Sequence, residues 1–144
     1  MAIKQISVFL ENKPGTLLKM TGVLAENKID MRALSLAETK DFGIVRLIVD
    51  DVYTASTVLK DKNFISILTD VVGVLIPDEP GGLDKVLRVL AGANINVEYM
   101  YAFLGGRNIN RACMIFRVGD SRAAENALGT WGIKILSQDE IASF

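Results

Sequence analysis

Residues 6–31 read ISVFLENKPGTLLKMTGVLAENKIDM, and residues 72–97 read VGVLIPDEPGGLDKVLRVLAGANINV. When the second stretch is shifted by 66 positions, the two align without a gap. Identical pairs include Pro14 and Pro80, Gly15 and Gly81, Leu17 and Leu83, Lys19 and Lys85, Val23 and Val89, Leu24 and Leu90, Ala25 and Ala91, and Ile29 and Ile95. This repetition predicts two copies of one structural unit, so a site built from that unit should occur twice.

The length of 144 residues accommodates two small units, predicted at residues 1–69 and 70–144. Units of roughly 70 residues are near the lower size limit for an independent core. Half of the residues are apolar and the mean hydropathy is +0.31, yet no apolar run approaches the roughly 18 residues of a membrane span. The excess of apolar side chains is expected to be buried against the other repeat or another chain.

The net charge limits the kinds of partner that the protein can have, and the N-terminal residues bear on its location. The net charge is −1 and no basic cluster is present, which argues against nucleic acid or an anionic membrane as a partner. The N-terminal stretch MAIKQISVFL carries Lys4 and Gln5 among its apolar residues and lacks a cleavage site, so it predicts a first strand rather than a signal peptide. A cytoplasmic location is the corresponding expectation.

Residue types needed for common catalytic chemistry are missing. The chain has no histidine, which excludes His-based acid–base catalysis and a His/Cys metal cluster. Cys113 lies in the apolar run RACMIFRV and is interpreted as a buried small residue rather than a reactive thiol. The serines lack a base that would activate them as nucleophiles. The sequence therefore predicts no catalytic residue, no metal site and no cofactor.

Both halves show the order strand, helix, strand, strand, helix, strand. The first half predicts strand 3–10, helix 17–26, strands 29–37 and 44–49, helix 52–62 capped by Asp51, and strand 64–68. The second half predicts strand 71–76, helix 83–91, strands 95–104 and 111–118, helix 120–130 and strand 133–137. A longer hairpin, GGRNIN at residues 105–110, shifts the offset to 69 in its last part.

A βαββαβ unit of this size predicts an α+β, ferredoxin-like fold with an antiparallel sheet and both helices on one face. Alternating positions of the first strand, such as Ile6 and Val8 against Ser7 and Phe9, are not plainly polar on either side. A sheet that is apolar on both faces needs a cover, which favours packing between repeats or a homodimer. Trp131, after the last predicted helix, is expected to cover the core.

The turns ENKPGTL (residues 11–17) and PDEPGGL (residues 77–83) are the candidate binding elements. Each places proline and glycine between a strand and a helix, where unpaired N–H groups and the helix dipole attract a carboxylate or phosphate. The glycines allow close approach to the backbone. The alternative interpretation is a plain tight turn in which Asn12, Asp78 or Thr16 acts as a turn or N-cap residue.

The element order, together with N-K-P-G-T-L at residues 12–17, D-E-P-G-G-L at residues 78–83 and the later K-I-D-M and N-I-N-V segments, closely resembles the ACT domain, present twice. The resemblance covers nearly the whole chain. It implies a regulatory module that binds an amino acid at an interface between two ACT units and is often attached to enzymes of amino-acid metabolism. It also implies an enzyme or regulator of that metabolism as partner.

The resemblance to the serine-binding ACT domain of phosphoglycerate dehydrogenase assigns polar ligand contacts to Asn12 and Asp78 before the Pro-Gly pairs, and to Asp30 and Asn96 at the start of the second strands. That relative has a histidine where this chain has Leu10 and Ile76, which argues against the same bonding pattern. The implied carboxylate donors are the N–H groups of Gly15, Thr16 and Leu17, or of Gly81, Gly82 and Leu83. The full implied set adds Lys13, Pro14, Glu79 and Pro80.

If the halves pair as ACT units do, the Asn12 turn faces Asn96, and the turn with Asp78 and Glu79 faces Asp30. The first site would be neutral apart from Lys13, whereas the second would gather three carboxylates and bind a zwitterion poorly.

Two other classes of protein remain open. One is a structural or oligomerising subunit without a ligand, and the other is a phosphatase such as acylphosphatase, although neither turn has the arginine that such enzymes use.

Overall fold

The computed structural model describes residues 2–103 and 110–143, so the expected strand end at Leu104 and most of the GGRNIN hairpin lie outside the described residues. The chain divides into two compact units, Lys4–Thr69 and Asp70–Phe144, the second of which includes Met1–Ile3. The elements are β1 (Ile3–Glu11), α1 (Thr16–Glu26), β2 (Met31–Glu38), β3 (Phe42–Val49), α2 (Val52–Asp61), β4 (Ile65–Pro77), α3 (Gly82–Gly92), β5 (Val97–Ala102), β6 (Arg111–Val118), α4 (Ser121–Thr130), β7 (Lys134–Leu136) and α5 (Gln138–Ser143).

In the first unit, β3 lies between β1 and β2 and pairs with both in antiparallel orientation. Every second residue of β1, from Ile6 to Leu10, enters one core together with Met20 and Leu24 of α1 and Leu59 of α2. Both helices therefore cover the same face of the sheet, as the sequence predicted. The cluster consists of aliphatic side chains that are almost completely buried, and each contributes about 1.5–3 kcal/mol to folding.

The second unit has the strand order β5-β6-β4-β7, and each neighbouring pair is antiparallel. Val72, Val74 and Ile76 of β4 enter its core with the buried residues of α3 and α4. This is the βαββαβ arrangement with both helices on one face, and the α+β prediction of two such units is confirmed.

The second helix of each unit begins at the aspartate that the sequence indicated. Asp51 accepts a hydrogen bond from the Thr54 N–H at 3.0 Å, and Asp120 accepts one from the Ala123 N–H at 3.0 Å. The Thr54 hydroxyl also donates to Asp51 at 2.6 Å, and these bonds lower the pKa of the Asp51 carboxyl. A side-chain oxygen at this position satisfies an N–H that the helix itself leaves unpaired.

Two predicted strands, 64–68 and 71–76, form the single strand β4. The residues between them, Thr69 and Asp70, include neither glycine nor proline, so nothing interrupts the extended backbone. The boundary between the two compact units consequently falls inside a strand.

Helix α5 was not predicted, although its signal is present in the sequence. The Glu140 N–H donates to the Ser137 hydroxyl oxygen at 3.2 Å, and the hydroxyl lies 3.4 Å from a Glu140 carboxylate oxygen. Ser137 therefore caps the helix, and the S-x-x-E pattern at residues 137–140 is the sequence signature of such a helix start. The helix carries Ile141, which is fully buried.

Ile141 covers the second sheet on the side opposite α3 and α4. Gly73 lies between Val72 and Val74, so it faces away from the helices, and a Cβ on Gly73 would lie 3.2 Å from Ile141 Cδ1. The same Cβ would overlap Ile3 Cδ1. Glycine is required here because two isoleucine side chains occupy the space above it.

The side of β6 that faces away from the helices is also buried, with Cys113 at 4% and Ile115 at 0% exposure. The prediction of a buried Cys113 is confirmed, and burial raises the pKa of its thiol to about 12. The expectation for Trp131 was wrong, because its side chain is 70% exposed at the end of α4. Trp131 is the C-cap residue of α4, and the next residue, Gly132 at φ +72°, has the left-handed conformation common after a helix end.

Within residues 2–103 and 110–143, no helix is both long enough and apolar enough to cross a membrane.

Replacing Gly73 by alanine should lower the free energy of unfolding by about 1–3 kcal/mol, because the added methyl group must displace Ile3 or Ile141. The matched control is Gly22→Ala in the middle of α1, where a Cβ meets nothing within 4 Å. That change should raise stability by about 0.5–1 kcal/mol. Urea denaturation of both variants measures the difference, and equal effects would contradict the packing described for Gly73.

Candidate functional site

The first turn connects β1 to α1 through a left-handed residue, Gly15 at φ +85°. The Thr16 hydroxyl lies 2.8 Å from the Glu11 carbonyl oxygen and 3.0 Å from the Lys13 carbonyl oxygen. The Thr16 N–H also donates to the Lys13 carbonyl, at a longer 3.4 Å. The turn is thus held by the first residue of the helix reaching back to the end of the strand.

The second turn has the same backbone path with different side chains. Gly81 has φ +87°, and the Gly82 N–H donates to the Glu79 carbonyl at 3.1 Å. At the position equivalent to Thr16, Gly82 packs so closely that a Cβ would overlap the carbonyl oxygen of Pro77. The hydroxyl bond of the first turn is replaced by direct backbone packing in the second.

Each turn is tied to the hairpin of its own unit by one backbone hydrogen bond. The Asn12 N–H donates to the Asp41 carbonyl at 3.0 Å, and the Asp78 N–H donates to the Asn110 carbonyl at 2.8 Å. The residues correspond between the repeats, at offset 66 for the donors and 69 for the acceptors. Asn12 and Asp78 therefore have a backbone role that the sequence did not reveal.

The expected N–H donors divide into two groups. Those of Thr16 and Gly82 already donate within their turns. For the other four, the N–H groups of Gly15, Leu17, Gly81 and Leu83, no acceptor is found in the part of the chain that the structure describes. N–H groups of this kind at a helix start are suited to an anionic oxygen.

The charge of Lys13 is matched within its own turn. Its ammonium group lies 2.6 Å from a Glu11 carboxylate oxygen, and both side chains are exposed. This hydrogen bond and the attraction between the charges lower the pKa of Glu11 and raise that of Lys13. The first turn is therefore closer to electrical neutrality than the sequence suggested.

Asp30, before β2, is also paired. Its carboxylate accepts from Arg32 at 2.8 Å, and its N–H donates to the Asp50 carboxylate at 3.0 Å. Asn96, its equivalent in the second unit, is exposed immediately before β5. Asp50 was missed because it comes next to Asp30 only when β2 pairs with β3, whereas Arg32 is only two residues from Asp30 and was overlooked. Asp78, Glu79 and Pro80 are exposed, and the expected pairing of each turn with the second-strand residue of the other unit stays a prediction.

A cavity of about 350 Å³ opens beside the first turn. Four of the predicted residues, Asn12, Lys13, Thr16 and Leu17, line it; Pro14 and Gly15 lie in the turn between them. The other lining residues are Leu10 and Glu11 from β1 and Leu36, Glu38 and Gly43 from the hairpin.

The hairpin residues of this cavity were not predicted. A Cβ on Gly43 would lie 3.3 Å from Leu36 Cδ1, so the leucine side chain lies over the glycine and remains 55% exposed. The signal for this wall of the cavity is Leu36, which lies on the helix side of the sheet and yet is not buried. The cavity can accommodate a small molecule, with leucines for an apolar group and the turn for polar groups.

Among the described residues, no three His, Cys, Asp or Glu side chains come close enough to hold a metal ion.

Two βαββαβ units with a Pro-Gly turn before each first helix define a duplicated α+β module. The model of the ACT domain pair matches residues 1–143, and the chain belongs to that family. No curated protein sequence matches it.

Solved structures share the fold over the full length. Protein BT0572 from Bacteroides thetaiotaomicron is 40% identical, with a TM-score of 0.93, over 100% of this chain and 98% of that one. The ligand-free regulatory subunit of aspartate kinase from Thermus thermophilus is 18% identical, with a TM-score of 0.65, over 90% and 93% of the two chains. The corresponding subunit from Thermus flavus is 17% identical, with a TM-score of 0.62, over 90% and 92%.

Changing Gly82 to alanine should lower the free energy of unfolding by about 3 kcal/mol, because the methyl group must push the Pro77 carbonyl away. Gly15→Ala and Gly81→Ala add no steric overlap and should cost only the left-handed backbone strain, about 1–2 kcal/mol each. Guanidinium titrations of the three variants test this order. A Gly82→Ala variant as stable as the other two would show that the turn can open freely.

Proposed function

We propose that this protein is a regulatory sensor that binds a free amino acid without changing any of its bonds. The observation that carries the proposal is the cavity beside the first turn, which combines unpaired helix N–H groups, acidic side chains and leucines. These are the three kinds of group that an α-amino acid requires for its carboxylate, its ammonium group and an apolar side chain.

The ligand's carboxylate would accept from the N–H groups of Gly15 and Leu17, at the positive end of α1. Its ammonium group would be held by the side-chain oxygens of Asn12 and Glu38. Leu10, Leu17 and Leu36 would contact its side chain, which favours an apolar amino acid such as valine, isoleucine or leucine.

We retain two finer parts of the family resemblance as proposals. The ACT domains comprise residues 1–69 and 70–144, and ligand sites are completed at interfaces between ACT units, with Asn96 serving the first turn and Asp30 the second. Asp78 and Glu79 make the second turn acidic, so it should bind a zwitterion more weakly. The pairing of Asp30 with Arg32 removes part of that repulsion, and the expected asymmetry is smaller than a count of charges suggests.

The Thermus subunits are parts of aspartate kinases, and by analogy we propose an enzyme or regulator of amino-acid metabolism as the partner in the cytoplasm. The protein would act through this partner and have no catalytic activity of its own. The second candidate is a structural subunit that binds no ligand. A test of ligand binding distinguishes the regulatory sensor from the structural subunit.

A thermal-shift screen with the twenty amino acids identifies the ligand. At 100 times its dissociation constant a ligand stabilises by about 2.7 kcal/mol, which raises Tm by a few degrees. Apolar amino acids should rank first, and the ligand should be recovered unchanged after incubation. No shift with any amino acid would favour the structural subunit.

Titration calorimetry with the best ligand then locates the site. Wild type should show one strong site per chain, and Asn12→Ala should weaken it by about tenfold, because a bond to a charged group is lost. Asp78→Ala is the matched control in the other repeat and should leave the strong site unchanged. Equal losses from both variants, or a loss from Asp78→Ala alone, would contradict the proposed asymmetry.

We further propose a homodimer. Among the exposed large apolar side chains of the first unit are Phe9, Phe42 and Ile65, of which Phe42 is 59% and Ile65 69% exposed. They line one cavity of about 520 Å³ together with Lys19 and Lys62. Contiguous apolar surface with a charged rim is typical of a protein interface.

Sedimentation equilibrium should give twice the chain mass of 15.7 kDa at micromolar concentration. Phe42→Glu should shift the protein towards the monomer, whereas Tyr53→Glu, at an exposed residue of α2, should not. A monomeric wild type, or a dimer indifferent to Phe42→Glu, would remove the support for this interface.

A further inference from the structure

The helix side of the second unit carries a cavity that the amino-acid site does not involve. It has a volume of about 470 Å³ and lies between α3 and α4. Lys85, Arg88, Val89 and Gly92 line it from α3, and Ala127 and Trp131 line it from the other side. Trp131 is 70% exposed, so one large aromatic surface stands beside an open space at the surface of the protein.

Three of the residues that line this space are smaller than their equivalents in the first repeat. Gly92 and Ala93 correspond to Glu26 and Asn27 at offset 66, and Ala127 corresponds to Val58 at offset 69. In the first unit, the Asn27 amide donates to the Val23 carbonyl at 2.8 Å, and Val58 packs against the core. The second repeat has smaller side chains at all three positions.

Trp131 and Arg88 also differ, since Lys62 and Gly22 occupy their positions in the first repeat. Three reductions in side-chain size therefore coincide with the gain of an indole on the same cavity. An exposed tryptophan over a floor of glycine and alanine offers a flat contact surface, and such surfaces contribute strongly to binding when a ligand covers them.

The charge at the cavity is positive, and one of the two cations is unmatched. Arg88 donates to Asp84 at 2.6 Å, and this ion pair raises the pKa of its guanidinium group. Lys85 makes no ion pair with any residue in the described ranges 2–103 and 110–143. None of the lining residues is acidic. An anion would find a partner here, and an ammonium group would not.

We propose that this cavity binds a small organic carboxylate with an aromatic or branched apolar body. The carboxylate pairs with Lys85, and the body lies on Val89, Gly92 and Ala127 against the face of Trp131. The volume is in the range of about 300–1,000 Å³ found for small-ligand sites. The absence of an acidic residue among the lining residues selects acids without an amino group, so this ligand class differs from that of the amino-acid site.

Trp131 is the only tryptophan of the chain, and its fluorescence reports on this cavity alone. The full chain is titrated with 3-phenylpropionate, 3-phenylpropanol and 3-phenylpropylamine, which share one body and differ in charge. The acid should change the emission saturably and bind about tenfold more tightly than the alcohol, with the amine weakest.

Lys85→Met should reduce the affinity for the acid to that for the alcohol. The control is Lys60→Met, at an exposed lysine of α2 in the first repeat, which should have no effect. Ala127→Val, which restores the residue of the first repeat, should abolish the response to all three compounds. Lys85 is exposed, so its replacement leaves the core unchanged and the test remains valid even if Ala127→Val is unstable.

Three results would overturn the proposal. The first is the absence of any emission change up to about 10 mM of the acid, since a dissociation constant above this is weaker than that of almost any functional site. The second is equal affinity for the three compounds. The third is an equal loss of affinity from the two lysine variants. The Asn12→Ala protein, titrated in parallel, should respond as wild type does. The outcome is therefore independent of whether an amino acid binds at the first turn.

Discussion

The backbone hydrogen bond from each Pro-Gly turn to the hairpin of its own unit is the interaction on which the candidate site depends. The Asn12 N–H reaches the Asp41 carbonyl, and the Asp78 N–H reaches the Asn110 carbonyl. Each bond joins two loops that are far apart in sequence and fixes the distance between them. The cavity at the first turn has one wall from the turn and one from the hairpin, and this bond joins the two directly beyond the last β1–β3 pair, Glu11 and Phe42.

The two repeats keep this backbone frame and differ in how they fill it. At the start of the first helix, Thr16 reaches the strand end through its hydroxyl, whereas Gly82 reaches it by direct backbone contact. On the helix side, three residues that line the cavity of the second repeat, Gly92, Ala93 and Ala127, replace the larger Glu26, Asn27 and Val58 of the first. A duplicated unit can therefore change one surface in one copy without losing the fold, because the cores of the two copies are separate clusters.

The sequence was sufficient for the elements, since apolar periodicity and the capping aspartates Asp51 and Asp120 are local signals. It was insufficient for three features, namely the bounds of some elements, the orientation of Trp131 and the hairpin side of the candidate site. The strand β4 was divided because the repeat suggested an end where the backbone has none, and α5 was missed although Ser137 is a helix-capping residue. Trp131 was assigned to the core by its size, but as the C-cap residue of α4 it is largely exposed. The candidate site was predicted only on the turn side, because contacts with Leu36 and Glu38 require the register of β2 on β3.

Surface ion pairs explain why charges read from the sequence are poor guides to ligand recognition. Lys13, Asp30 and Arg88 each have a partner of opposite charge within 3 Å, at Glu11, Arg32 and Asp84. A ligand that approaches such a residue must replace the internal partner, so the gain in attraction is largely offset by the loss of the pair. Groups without such a partner avoid this cost, and here they are the helix N–H groups at the first turn and the ammonium group of Lys85. Ligand selectivity should therefore follow these unmatched groups, with a zwitterion favoured at the turn and a simple anion between the helices.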